Sequence, residues 1–362
     1  MKMLRKVNKM KSNAKSKIII LIALGIIFAL SPIITVNLGF VTGSSIKSLE
    51  YSDDINFDNK NPKISAVSGK IHIDNNWTVA KSAGICTGDG TYSDPYVIED
   101  LVIDTNNTGS CILIENSTAY FRIENCTVFN SEGAYNAGIL LNNTDNGFLI
   151  DNNCSSNSSG MGLFYSDNNT ISGNDVNNNF RGIYLDRSDY NTISGNHVNY
   201  NYHGILLHVS VFNAISGNIA NNNENGIIIA SGDRNTVLGN IANNNEYGMY
   251  LTFSNYNTVS GNTAYNNDNS GISLLWSDFN TISGNNANNN EYGIFLWYSD
   301  YNTVIGNTFL GNNECIEEVE CNENIFENND CGIIFLILII SGVAILGIVT
   351  ILLIKHVRKR KQ

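Results

Sequence analysis

The sequence predicts an all-β protein, a right-handed parallel β-helix, and three observations support this prediction. The phrase Asn-Thr-Ile-Ser-Gly-Asn, or a close variant, begins seven times from Asn169 to Asn302, at intervals of 22 or 23 residues. Apolar residues recur at four fixed positions of this repeat. No proline follows Pro95, as expected where nearly every backbone N–H takes part in strand pairing. A fixed period in this range is typical of a solenoid.

One repeat, taken as Asn169 to Tyr190, encodes three short strands. Polar and apolar residues alternate around Ile171, around Val176 and from Gly182 to Asp186, and alternation with period two is typical of strands. The Gly and Asn clusters between these segments predict turns. Three strands form one triangular coil, and stacked coils place each strand in parallel with its copy about 4.8 Å away.

Positions 3, 8, 15 and 17 of the repeat are predicted to fill the coil interior, because they are almost always apolar. Each buried Ile or Leu contributes roughly 1.5–3 kcal/mol to stability. Asn recurs at positions 1, 6 and 11, where its amide can bond to corner backbone and stack as a ladder. Less regular strands from Val97 to Asn152 predict about three earlier coils, so we expect about ten coils over residues 71–330.

Both ends of the chain are predicted to meet a membrane. Residues 1–36 combine seven basic residues with an apolar run and form either a cleaved signal peptide or a signal anchor, followed by a linker over 37–70. Residues 332–354 carry no charge and are long enough to span a bilayer, and 355–362 form a basic tail. Because positive residues stay inside, we expect both termini in the cytoplasm, unless the N-terminal signal is cleaved, and an extracellular repeat domain.

The charge between these ends excludes some partners. Seven of the 21 basic residues precede Ile18 and five follow Ile354, whereas all 33 acidic residues lie between, so that part has a net charge of about −24. Such a domain repels nucleic acid and anionic lipid surfaces. Membrane lipid around 332–354 and a glycan or surface protein on the repeats are the predicted partners.

Seven cysteines suit an exported protein. Cys315 and Cys321 bracket the coil where the repeat decays, which predicts a disulfide that closes a C-terminal cap, with Cys331 as an alternative partner. No two cysteines have the Cys-x-x-Cys spacing and no His lies beside them, so the cysteines do not indicate a metal site. Asn-x-Ser/Thr sequences occur only before the regular repeats, and the glycosylation candidates are Asn76, Asn106, Asn116 and Asn142.

One mixed ionisable cluster lies on the outward positions of the first two regular coils. Its members, the catalytic candidates, are Arg181, Asp186, His203 and His208. Acid–base chemistry on a sugar ring needs such groups, although an exposed polar patch without turnover is the simpler interpretation. Hydrolysis of glycosides uses paired carboxylates, and Asp186 is the one carboxylate in this group.

Later coils carry aromatic residues at the same outward positions. These ligand-binding candidates are Tyr247, Tyr250, Trp276, Tyr292, Phe295, Trp297 and Tyr298. Exposed rings suit stacking against sugar faces or contact with a protein, whereas ordinary strand filling is the alternative. We predict no cofactor and no metal; a calcium ion shared by Glu224 and Glu246 is the alternative that the acidic corners leave open.

The phrases Asn-Thr-Ile-Ser-Gly-Asn and Gly-Ile-x-Leu at this period resemble the parallel β-helix repeat family. That superfamily includes NosD-like periplasmic proteins and carbohydrate-binding and sugar-hydrolysis domains. Thr87–Ile98 and Glu99–Asp104 look like the first segment of archaeal cell-surface members. The resemblance to NosD implies a role in copper-site maturation, although no Met cluster or His pair has ligand spacing for copper. The superfamily's epimerases and lyases imply roles for Asp186, His203, His208, Arg181 and Tyr184.

Three functional hypotheses follow. The first is a membrane-anchored extracellular β-helix that binds carbohydrate or another surface partner, or serves as envelope structure, without turnover. The second is a polysaccharide-modifying enzyme of the epimerase, lyase or hydrolase kind. The third is a NosD-like copper-site accessory protein.

Overall fold

The computed structural model describes residues 67–332. The predicted N-terminal segment 1–36, most of the linker, the apolar segment after Gly332 and the basic tail lie outside the described residues. Within 67–332, no helix is long and apolar enough to cross a membrane.

The described chain is a parallel β-solenoid made of three sheets, as predicted. The first sheet contains Val67–Ser68, Val102–Asp104, Thr127–Phe129, Asn153–Ser155 and Asp175–Asn177, and single parallel bridges extend its line to Asp330. The second sheet has 11 strands: Ile71–Asp74, Ile112–Glu115, Ala137–Asn142, Ser159–Phe164, Arg181–Asp186, His203–His208, Asn225–Ala230, Tyr247–Thr252, Ser270–Leu275, Tyr292–Trp297 and Glu314–Val319.

The third sheet also has 11 strands: Tyr96–Glu99, Phe121–Glu124, Gly147–Ile150, Thr170–Ser172, Thr192–Ser194, Ala214–Ser216, Thr236–Leu238, Thr258–Ser260, Thr281–Ser283, Thr303–Ile305 and Ile325–Glu327. The solenoid therefore makes about 11 turns, one more than the sequence predicts. The extra turn comes from the early strands, whose irregular spacing hides them from a search for a 22-residue period.

Four interior columns form one continuous core. In the coil that starts at Asn169, Ile171, Val176, Ile183 and Leu185 are fully buried, and their counterparts in the following coils are buried in the same way. A short helix, Trp77–Ser82, covers the N-terminal end of this core. Trp77 stacks on the ring of Tyr96 at 4.7 Å between centroids.

The buried Asn columns form the predicted ladder. Asn196 Nδ2 donates to Asn218 Oδ1 at 2.9 Å and to the carbonyl of Ile171 at 3.0 Å, while the N–H of Asn196 donates to the same Asn218 oxygen. Left-handed backbone occurs one residue before each buried Asn or Ser of the corners. In the first regular coil these residues are Gly173, Asn178, Arg187 and Tyr190.

The C-terminal disulfide joins Cys315 to Cys331, so the predicted pairing of Cys315 with Cys321 is wrong. Position 14 of the repeat is otherwise Gly, and a Cβ built there points at position 8 of the next coil; at Gly271 it would lie 2.6 Å from Ala287 Cβ. Cys315 occupies position 14 and Cys331 the next position 8, with 5.6 Å between their Cα atoms.

Cys321 instead replaces a serine of the corner ladder at position 20. Its Sγ accepts the N–H of Ser299 at 3.4 Å, as Ser299 Oγ accepts the N–H of Ser277 at 3.1 Å one coil earlier. Cys111, Cys126 and Cys154 are free and buried in the early coils. Burial raises the pKa of the Cys111 and Cys126 thiols to about 11, so these groups are inert thiols at neutral pH.

Candidate functional site

The outward ribbon comprises positions 13, 16 and 18 of the second sheet, whose side chains point away from the core. Parallel pairing is in register along it, so Arg181 lies beside His203 and Asp186 lies beside His208. The catalytic candidates therefore form two pairs at opposite ends of their strands. Five residues separate the pairs, about 16 Å along a strand, which is too far for both to act on one sugar ring.

Asp186 is the better supported centre of the two, because its carboxylate has two hydrogen-bonding partners. Asp186 Oδ1 lies 2.8 Å from His208 Nδ1, and Asp186 Oδ2 accepts from Arg187 Nη1 at 3.0 Å. A carboxylate only accepts, so the proton of this imidazole is on Nδ1. Arg187 also donates to Tyr165 Oη at 3.2 Å. The Asp186 side chain is 12% exposed, whereas its partners Arg187 and His208 are 48% and 42% exposed, so the carboxylate is shielded from water and the two partners are not.

The second pair, Arg181 and His203, lies among aromatic rings. The Arg181 guanidinium carbon is 5.0 Å from the ring centroid of Phe180 and 4.8 Å from that of Tyr184. Burial, and secondarily the Arg181 charge, lowers the pKa of His203 from its ordinary value. The imidazole is therefore neutral at pH 7, and its Nδ1 lies 3.2 Å from Asn225 Nδ2.

The aromatic candidates divide into two kinds of arrangement. Trp276 belongs to a corner stack, since Phe253 lies parallel to one side at 5.0 Å and Tyr298 to the other at 6.0 Å. Trp297 packs against Trp276 at 4.6 Å and is tilted by 48°. Because both faces of Trp276 are covered by rings, a sugar has no open face of this indole on which to stack.

The other candidates form two ring pairs on the outward ribbon. Tyr247 and Tyr250 have centroids 5.3 Å apart, and Tyr292 and Phe295 have centroids 5.2 Å apart. The strand between them, Ser270–Leu275, places small serines where its neighbours place rings. Among residues 67–332, none of these four rings contacts an aromatic ring outside its own pair.

An exposed column at position 22 was not predicted from the sequence. It consists of Tyr190, Phe212, Arg234, Tyr256, Phe279 and Tyr301. Successive rings are nearly parallel at 5.0–5.1 Å, and the Arg234 guanidinium lies between Phe212 and Tyr256 at 5.7 and 5.4 Å. The signal was an aromatic residue or Arg directly before the Asn at position 1 in the six repeats from Asn191 onward. These rings cover each other's faces and present edges to solvent.

Two groups of acidic residues lie at the corners of the coils, and they have different surroundings. Asp189 Oδ1 accepts the N–H of Val211 at 2.7 Å, and Asp233 and Asp278 bond to the next coil in the same way, so this column is structural. Glu224, Glu246 and Asp268 instead line a recess of about 470 Å³. Among residues 67–332, no group of three or more His, Cys, Asp or Glu side chains is arranged to hold a metal ion.

The glycosylation candidates lie on early coils. Asn76, Asn106 and Asn116 are exposed, whereas Asn142 is half-buried. Asn142 Nδ2, the atom that would be glycosylated, donates to Glu115 Oε1 at 2.8 Å. Asn116 Nδ2 likewise donates to Asp74 Oδ1 at 2.8 Å. Asn76 and Asn106 are therefore the more accessible acceptors, and modification of all four residues stays a prediction.

Two family models match the solenoid. The model of the right-handed β-helix region matches residues 71–242, and the model of the periplasmic copper-binding protein NosD matches residues 204–334. This chain is a right-handed β-helix protein. No curated protein sequence matches it at a significant level.

Solved structures share the fold of this β-helix protein. The A-module of mannuronan C-5 epimerase AlgE4 from Azotobacter vinelandii superposes with a TM-score of 0.53 at 15% identity, over 75% of this chain and 96% of that one. The AlgE6 A-module of the same organism gives 0.53 at 14%, over 65% and 83%. DFA-IIIase from Arthrobacter chlorophenolicus A6 gives 0.51 at 14%, over 62% and 70%. At these identities the likeness establishes the β-helix fold alone.

Proposed function

We propose that this β-helix protein is displayed on the cell surface, anchored through residues 332–354, and binds a neutral glycan on its outward ribbon without turnover. The observation that carries the proposal is the arrangement of the ring pairs Tyr247/Tyr250 and Tyr292/Phe295 on either side of a serine-bearing strand. Aromatic faces that no other ring covers are the surfaces on which the apolar face of a sugar packs.

The charge of this part of the chain supports a neutral ligand. Residues 235–332 contain twelve Asp or Glu and no Lys, Arg or His. Burial and the neighbouring Glu246 raise the pKa of Tyr247, and Glu291 together with burial raises the pKa of Tyr292. The phenols are therefore protonated at neutral pH and can donate to sugar hydroxyls, whereas polyuronates would be repelled.

A glycan array with the full-length protein tests this proposal, and a variant with both Tyr250→Ala and Phe295→Ala identifies the surface. We expect the double variant to lose at least tenfold in affinity for the glycan that the wild type selects, because it removes one ring from each pair. Phe279→Ala is the matched control, since Phe279 is equally aromatic but lies in the position 22 column. Unchanged binding by the double variant would exclude the ribbon as the glycan site.

A second candidate function is polysaccharide modification at Asp186 and His208, and their 2.8 Å contact is the observation that favours it. A carboxylate that orients an imidazole is an arrangement suited to moving a proton at a sugar carbon. Incubation of the full-length protein with uronate and neutral polysaccharides, followed by NMR, tests for epimerised or unsaturated sugars. Product that disappears in Asp186→Asn and His208→Gln would favour the enzyme over the binding protein.

The copper hypothesis rests on the match to the NosD model over residues 204–334. Copper that stays with the full-length protein after dialysis would support it. Loss of all copper on dialysis would argue against it and leave the glycan proposal in place.

A further inference from the structure

Ser273 has an unusual environment for a polar side chain. Ser273 is fully buried, and its Oγ has no hydrogen-bond partner. Among residues 67–332, the other buried side-chain N or O atom without a partner is Ser131 Oγ. A buried hydroxyl without a partner costs free energy, because water no longer satisfies it. An alanine would fill the same place without that cost.

The position of Ser273 links it to the ring pairs. It stands at position 16 of the outward ribbon, in register with Tyr250 on one neighbouring strand and Phe295 on the other. Tyr250 and Phe295 are both half-buried, whereas Ser273 between them is fully buried. Ser270 lies beside Tyr292 on the same strand, but its Oγ is satisfied by Asn269 Oδ1 at 2.8 Å.

We infer that Ser273 is the polar anchor of a sugar subsite between Tyr250 and Phe295, which accepts a neutral pyranose. This inference rests on the proposed function, and it identifies a side chain that contacts the bound glycan. When the half-buried rings of Tyr250 and Phe295 rotate away from Ser273, the sugar ring packs its apolar face on an aromatic face. One sugar hydroxyl then bonds to Ser273 Oγ and supplies the missing partner.

The surroundings restrict the ligand to an uncharged sugar. Glu246 and Glu291 lie beside the outer rings of the two pairs, and the nearest basic residue in the sequence before them is Arg234. A carboxylated or sulfated sugar would bring a second negative charge into this acidic region. A hydroxyl from a neutral pyranose satisfies Ser273 without that repulsion.

Isothermal titration of the full-length protein with cellohexaose, mannohexaose and chitohexaose provides the test. For the hexasaccharide that the wild type binds, we expect Ser273→Ala to weaken binding about tenfold, as the loss of one buried hydrogen bond predicts. The melting temperature of the unliganded variant should equal or exceed that of the wild type, because the unsatisfied hydroxyl is gone. Ser283→Ala, a serine variant on the third sheet, should change neither quantity.

The outcomes separate this inference from the function on which it rests. If Ser273→Ala binds like the wild type while the variant lacking both Tyr250 and Phe295 rings does not, the anchor is wrong and glycan binding stands. If Ser273→Ala melts at a lower temperature, the hydroxyl has a structural partner and the inference is overturned without reference to any ligand. If the wild type binds no neutral glycan on the array, the proposed function fails and the anchor with it.

Discussion

Residues 159–234 and 235–332 have the same wall, which consists of the interior columns and the Asn ladder. Their outward faces, which consist of the side chains that point away from the core, are different. In both stretches, the interior columns and the Asn ladder repeat nearly without change. Outside the interior columns, the first stretch carries three Arg and three His, of which Arg181, His203 and His208 lie on the outward ribbon. The second stretch carries none of either and is acidic and aromatic. At position 18 the residues change from Asp186 and His208 to Leu275 and Trp297.

This difference shows that the wall and the face are specified independently. Side chains of the wall meet copies of themselves in adjoining coils, so each column must keep one shape and one bonding pattern. Outward side chains meet solvent and each other, and the in-register backbone leaves them free to vary. Ligand chemistry is therefore expected in the columns that change, and stability in those that do not.

The largest effect is expected when the same buried Asn of the ladder is replaced in both stretches. Asn196→Ala and Asn262→Ala each delete an amide that donates to a buried carbonyl and accepts a buried N–H. With about 1–3 kcal/mol for each orphaned group, we expect a loss of roughly 2–6 kcal/mol in either variant. Denaturant unfolding of the full-length protein measures this loss. Unequal losses would show that the two walls are not equivalent.

The next largest effect is expected at the C-terminal end of the second stretch. Replacing Cys315 and Cys331 by Ser removes a disulfide that spans 16 residues, which contributes about 3 kcal/mol through the unfolded chain. Hydrogen exchange should show lost protection in Glu314–Val319 and unchanged protection in Arg181–Asp186, because coils interact mainly with their neighbours. Loss of protection along both stretches would instead indicate one cooperative unit.

The disulfide also shows which features the sequence can and cannot predict. Columns of Ile and Leu identify the core directly, since each column repeats seven times. The pairing of Cys315 depends on where a Cβ at position 14 points, and Gly at that position elsewhere carries no directional signal. The division of the catalytic candidates into two distant pairs likewise needs strand register. Ser273 could not be recognised at all, because its lack of a partner exists only in three dimensions.

A smaller effect is expected from the charges that distinguish the first stretch. Asp186→Asn keeps the side-chain shape but removes the charge that pairs with Arg187 and His208, so we expect a loss of about 1–2 kcal/mol. Asp175→Asn is the matched control, because the Asp175–His197 pair is more than half exposed and should contribute less than about 0.5 kcal/mol. Unfolding in low and high salt checks both. Equal losses would mean that burial does not strengthen the Asp186 network.

The smallest effect concerns the titration of His203, a group that has no counterpart in the second stretch. Burial and the Arg181 charge lower its pKa below 6.5, so the folded state binds its proton more weakly than the unfolded state does. This contribution to stability is present above pH 6.5 and is lost as the pH falls through the lowered pKa. An NMR titration of the full-length protein should place the His203 midpoint below 6.5, and Arg181→Gln should move it upward. A midpoint at or above 6.5 would mean that the rings of Phe180 and Tyr202, whose centroids lie 6.0 and 4.5 Å from that of His203, do not shield the imidazole from water.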